Sequence, residues 1–243
     1  MAETKHRGIA RLAWFALGVN VLTILGGTLV RATRSGAGCG ESWPTCKGSV
    51  LPAIESAKTL IEFSHRAVSG MAFLVVLALF VRVLRNVEKG SPVRTAMWTT
   101  VVAFVIESLL GAWLVLARLV EDDASVMRAI SVPVHLVNTL FLLGCLTATA
   151  WLLHSGKALH WFDHKRLKGL GIAAAGLALI GATGAVAALA DTLFPVESLE
   201  AGLAADFDSR ANFLTRLRVI HPVVAVAVSA YLLRFAAAGL DDA

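Results

Sequence analysis

Six apolar stretches of about 20 residues decide what this chain can fold into: about 12–30, 60–81, 95–117, 129–153, 168–190 and 213–233. A helix of that length crosses the roughly 30 Å hydrocarbon core of a bilayer. Inside that core every backbone N–H and C=O must be satisfied within the structure, which favours helices. Only 16% of the 243 residues are charged, and mean hydropathy is +0.72; soluble domains carry about a quarter charged residues. The chain reads as an all-α polytopic membrane protein with six spans. The first run has basic residues before it, and "GAGC" at 36–39 imitates a lipoprotein cleavage site. Gly36 stands where that site wants an apolar residue, and the apolar core ends near Val30, so the run reads as a span rather than a signal.

Lys and Arg placement sets the orientation. With the N-terminus cytoplasmic, the inner side collects Lys5, Arg7, Arg11, Arg82, Arg85, Lys89, Arg94, Lys157, Lys165, Arg166, Lys168 and Arg234. The acids there are Glu3, Glu88, Asp163, Asp241 and Asp242. The outer side holds Glu121, Asp122, Asp123, Asp191, Glu197, Glu200, Asp206 and Asp208. The net charge of +5 is thus a topology signal and gives no reason to propose nucleic acid as a partner; the lipid bilayer is the partner it implies. The expected location is a plasma membrane, multi-pass, with the loop at 31–58 on the outer face.

Within "IEFSHRAVSG" (61–70), Glu62, His65 and Arg66 interrupt the second run. A charge at the centre of a bilayer helix costs on the order of 2.5–3.5 kcal/mol on the most lenient scale, so the cluster must be compensated or shallow. Spans two, four and six run in one direction, and each has a histidine near its start: His65, His135 and His221. A lone histidine in a span is more often a polar contact between helices than a ligand. Three at one depth favour axial ligation of haem iron by imidazoles from different helices. Zinc competes, but only Glu62 is on hand to complete its shell. Glu62 lies i, i+3 from His65 and i, i+4 from Arg66. It either pairs with Arg66 at the interface, or sits beside an iron-bound substrate as a proton acceptor or charge stabiliser.

The loop 31–58 carries Cys39 and Cys46 on the oxidising side, where a disulfide forms and persists. A structural clasp is its default reading, and a redox role is the alternative. Cys145 reads as a packing residue. Arg31, Arg34 and Arg66 flank the same mouth, as propionate partners or as interface anchors. Glu107, midway along span three, should face the bundle interior. "LGGTLV" (25–30) also lines up with "IGATGA" (180–185). Thr28 precedes His65 by 37 residues, and Thr183 precedes His221 by 38. This suggests a duplicated four-helix unit, dividing the chain into 1–155, a four-helix bundle with the loop 31–58, and 156–243, the first two helices of a second.

Together, "GGTLVRATRSGAGCGESWPTCKG" (26–48), "EFSHR" (62–66), His135 and "IHP" (220–222) resemble the haem A synthase (CtaA-type) family along the whole chain. The resemblance implies two four-helix bundles, each holding one haem through a histidine pair, and oxidation of the C8 methyl of haem O to a formyl group with water as the oxygen source. It implies that His65 and His135 hold the substrate haem O; Arg66, at the same mouth, is expected as a cofactor-binding residue through the propionates. Glu62 would be the acid near the reacting methyl, Cys39–Cys46 the loop disulfide, and His221 one ligand of a b-type haem. In that pattern helices seven and eight fall beyond Ala243, and the offset of about 156 between the halves, added to His135, predicts the fourth histidine near 291. The expectation is a truncated product, a chain completed by another subunit, or a shortened member with an altered second site. Expected partners are haem O, the haem O synthase that delivers it, and an electron acceptor the residues do not identify. Homo-oligomerisation suits an incomplete bundle, without a specified symmetry.

The alternative function is a non-catalytic membrane haem-binding or carrier protein, favoured by the missing fourth histidine. A thiol oxidoreductase would need a second reactive cysteine pair, and the chain adds only Cys145. A transmembrane electron-transfer cytochrome would want histidines near both faces.

Overall fold

The computed structural model describes residues 2–156 and 164–241. Lys157, Asp163 and Asp242 of the expected inner charges, and the end at Ala243, lie outside the described residues. Five long helices carry the first five spans and the last span is broken: α1 (Ala2–Ala32), α2 (Ala57–Asn86), α3 (Pro92–Leu116), α4 (Val126–Ser155), α5 (His164–Leu193), α6 (Leu199–Phe207), α7 (Phe213–Leu217) and α8 (Ile220–Asp241). Each expected span falls on one of six segments long and apolar enough to cross a membrane. Among the described residues there is no strand, only an isolated bridge between Cys46 and Ser49. The protein is an all-α, multi-pass membrane protein.

The helix ends follow capping chemistry. Ser56 accepts from Thr59 N–H to start α2, and Ser91 accepts from Arg94 N–H just before Pro92 opens α3. A side-chain acceptor at that position satisfies an orphan amide of the first turn, and proline there lacks only a donor that would be orphaned anyway. Gly90 turns the chain at φ +80°, in the left-handed region glycine occupies freely.

The chain divides into two compact units. The first comprises residues 1–123 and 138–158, whose core draws on four helices: Ala10, Ala13 and Ala16 of α1, Val76 and Leu79 of α2, Met97 and Phe104 of α3, Leu142 and Leu146 of α4. Small residues on α1 let the backbones approach closely, which is how helices associate in lipid. Leu22, Leu25, Phe73, Leu74 and Leu109 point outward, as lipid-facing residues do.

The second unit comprises 124–137 and 159–243, with Leu189, Ala190 and Leu214 at its core and Ala124, Ala129 and Phe213 packed against them. The opening part of α4 thus groups with the second unit. Along α5, Gly176 sits so close to α8 that a Cβ there would be 2.7 Å from Val228 Cγ1, and Gly184 so close that one would be 3.0 Å from His221 Cε1. Tyr231 Oη donates to Gly169 O at 3.2 Å. Glycines two turns apart let α8 lie directly on α5.

The sequence reading places no helix between spans five and six; α6 is an addition, and α7 is the opening piece of span six. The last span is also broken at Arg218–Val219. Pro222 has no N–H, and His221 N–H bonds Arg218 O at 3.2 Å in a tightened turn.

Candidate functional site

In the first unit, the N-cap at Ser56 fixes where α2 begins and so brings Thr59, Glu62 and Arg66 under the cysteine loop. Thr59 Oγ1 donates to Gly38 O at 3.0 Å. The Glu62 carboxylate is buried and accepts from Cys39 N–H at 2.7 Å on one oxygen and from Arg66 at 2.6 Å on the other. Arg66 also donates to Ser42 O and Thr45 O, each at 2.5 Å. Cys39 and Cys46 form a disulfide and are both buried. Lys47 N–H closes back on Cys39 O, and Cys46 pairs with Ser49. Gly38 has no room for a side chain: a Cβ would meet the Lys58 carbonyl and come to 2.8 Å from Thr59 N. The expected disulfide and the expected i, i+4 pairing of Glu62 with Arg66 are therefore present, joined in one network.

Ion pairs at the surface tie this loop to residues 118–122: Arg34–Asp122 at 3.2 Å, Lys58–Glu121 at 3.1 Å and Arg118–Glu41 at 2.6 Å. Exposed pairs of this kind are worth at most about 1 kcal/mol each, so the buried network dominates. Lys47 beside Glu55 holds that carboxyl below its ordinary range.

His65, one turn below Glu62, rests on glycines of α1. A Cβ at Gly26 would be 3.2 Å from His65 Nδ1, and one at Gly27 3.2 Å from His65 Cε1. The glycine wall keeps space for a ring that any side chain there would crowd. Deeper in the same unit, Glu107 receives Asn138 Nδ2 at 2.7 Å and the Thr139 hydroxyl. These are the partners that the expected inward orientation of Glu107 calls for.

His135 and His221 lie in the second unit, both half-buried. His221 rests against Gly184, with Thr183 Oγ1 3.1 Å from Nδ1. Three residues before it, Arg218 donates to Asp191 at 2.7 Å, to Asp206 at 2.8 Å and to Gly202 O at 3.0 Å, binding α6 to the head of the last span. Among the described residues no group of three or more His, Cys, Asp and Glu side chains converges as a cation site. His65 and His221 are single imidazoles set against glycine. That arrangement fits a flat, axially ligated macrocycle better than a tetrahedral ion.

Sequence reasoning missed Arg218 and the part played by Thr183. Alignment on the histidines would have found both. Glu62 and Arg218 each stand three residues before a histidine, so the position that grips the preceding loop carries opposite charge in the two halves.

A family described as cytochrome oxidase assembly protein, COX15-CtaA, matches residues 10–58 and 53–241. Among curated relatives, a "Protoheme IX farnesyltransferase" of Thermus thermophilus is 48% identical over 235 residues, covering 92% of this chain and 37% of that protein. A "Heme A synthase" of Geobacillus thermodenitrificans is 40% identical over 133 residues, covering 52% of this chain and 40% of that protein. One of Exiguobacterium is 35% identical over 120 residues, covering 49% and 39%. The chain spans about two fifths of the length of these relatives. It belongs to the COX15-CtaA family of cytochrome oxidase assembly proteins.

Proposed function

We propose that this chain is a membrane oxidoreductase of haem A synthase type, acting on the C8 methyl of haem O and yielding the formyl group of haem A. The observation that carries the reading is the buried Glu62, one helical turn from an imidazole seated on bare glycine and bonded to the disulfide loop. Relatives named for haem A synthesis each match about half of the chain. In this reading His65 is a ligand of the substrate's iron, and His221 would hold a b-type haem, which when bound would supply electron transfer. Glu62 accepts a proton as the methyl loses hydrogen, while water supplies the oxygen and an external acceptor takes the electrons. Arg66 acts through Glu62, holding one of its oxygens at 2.6 Å and so fixing the aim of the carboxylate. The N-terminus is cytoplasmic and the cysteine loop faces outward from the plasma membrane. A haem O synthase is the proposed supplier, in keeping with the Thermus relative named for farnesyl transfer.

The deciding experiment expresses the chain in cells that make haem O and no haem A, then identifies the extracted haem by mass. Haem A or its hydroxylated precursor supports the enzyme; haem O alone removes it. Glu62→Gln keeps an acceptor for Cys39 N–H while losing the charge. Product yield should fall by roughly 10²–10⁴-fold with haem still bound; an unchanged yield would take the proton-accepting role from Glu62.

A second reading is a carrier that binds haem O without converting it. The observation in its favour is that both Glu62 oxygens already accept hydrogen bonds, from Cys39 N–H and Arg66, as a structural clasp requires.

A further inference from the structure

The two halves differ in the wall behind their histidines. Counted back from the histidine, Gly27 and Thr183 are both 38 residues away, and Thr28 and Gly184 are both 37. The Gly-Thr order of the first half is inverted to Thr-Gly in the second. In the first half the Thr28 hydroxyl turns back onto Ile24 O at 3.0 Å, and the position facing the ring is glycine. In the second half the inversion puts a hydroxyl against the ring: Thr183 Oγ1 is 3.1 Å from His221 Nδ1. A hydroxyl has one proton to give, and that of Thr183 is directed along its own helix to Leu179 O at 2.9 Å, with Ile180 O at 3.2 Å. With the proton given there, its oxygen is free to accept, and Nδ1 would then carry the hydrogen. A neutral imidazole protonated at Nδ1 offers its lone pair at Nε2.

We propose that Thr183 is a positioning residue for His221: it holds the ring in the Nδ1–H form and aims Nε2 as the donor to a haem iron. Gly184 admits the ring, and the hydroxyl fixes its rotation. The inference rests on the reading of His221 as a haem ligand. A partner on the far ring nitrogen raises the basicity of a ligating histidine, and losing such a partner commonly costs 10–100-fold in affinity.

The test uses the full chain in detergent, carrying His65→Ala so that added protohaem reports on the second unit. Thr183→Val, close in shape but without the acceptor, should weaken protohaem binding about 10–100-fold and raise the midpoint potential, since a less basic imidazole stabilises ferric iron less. Thr183→Ser should restore both. If Val leaves affinity and potential unchanged while His221→Ala in the same background loses the haem, the role of Thr183 is wrong and the ligand reading stands. If His221→Ala keeps the haem, the ligand reading falls and takes the inference with it. Should the Val protein misfold, ¹⁵N-histidine spectra of the haem-free chain decide. A His221 signal protonated at Nδ1 supports the assignment, and one protonated at Nε2 overturns it.

Discussion

Glu62 is a carboxylate in a setting that rejects carboxylates, and its neighbours explain why it is kept. Arg66, one turn on, supplies the countercharge, and the Cys39 amide supplies a hydrogen bond. Buried pairs add little net stability compared with apolar packing, yet breaking one by deleting a partner leaves a stranded charge and costs about 3–5 kcal/mol. Arg66→Ala should therefore destabilise the detergent-solubilised protein by about that amount. It should also open the loop at 40–52 to protease, because the ties to Ser42 O and Thr45 O go too. An unchanged melting curve and digestion pattern would show that the clasp contributes nothing. Gly38→Ala makes the complementary prediction. Its methyl has nowhere to go but into the Lys58 carbonyl, so the loop must lift off α2, read as faster alkylation of the cysteines after mild reduction. The pairing of Glu62 with Arg66 was legible in the sequence because i, i+4 spacing on a helix is fixed geometry. The Cys39 amide was not, since nothing in the residue order says which loop N–H reaches which carboxylate oxygen.

At the level of elements, the helices were legible for a simple reason: in lipid, a 20-residue apolar run has few alternatives to a helix. What escaped the sequence were the short pieces. Leu199, Leu203 and Phe207 do follow helical spacing, but nine residues are too few for periodicity to speak, and α6 is held by Arg218 reaching across from another segment. The packing of α8 on α5 is likewise set by absences of side chains, at Gly169, Gly176 and Gly184. Gly176→Leu should drive Val228 away, at the roughly 1–3 kcal/mol typical of overpacking. It should also tilt α8 enough to move His221 off Thr183. The readout is a lowered melting temperature together with weaker protohaem retention in the His65→Ala background. Gly171→Leu, on the same helix where a Cβ meets nothing within 4 Å, should be close to neutral. Equal losses from both would mean that bulk anywhere on α5 is harmful, and the glycine contact would lose its special standing.

At the scale of the whole chain, the sequence suggested two repeated bundles, and the structure adds that α4 is shared between two compact units. Its later part, with Leu142 and Leu146, belongs to the core of the first; its opening part falls with Ala124 and Ala129, which pack on the Leu189 and Leu214 cluster of the second. No property of the apolar run at 129–153 marks that change, because a lipid-spanning helix is apolar whichever neighbours it has. The consequence bears on His135, which lies in the opening part. A chain cut after residue 158 retains the complete core of the first unit, the disulfide and the Glu62–Arg66 clasp, but lacks the cluster that supports the start of α4. Hydrogen exchange should then show residues 142–153 as protected as in the full chain, while 126–137 exchange faster. Should 126–137 keep full protection in the shortened chain, α4 draws its order from the first unit alone, and the second half of the chain is not needed to place His135.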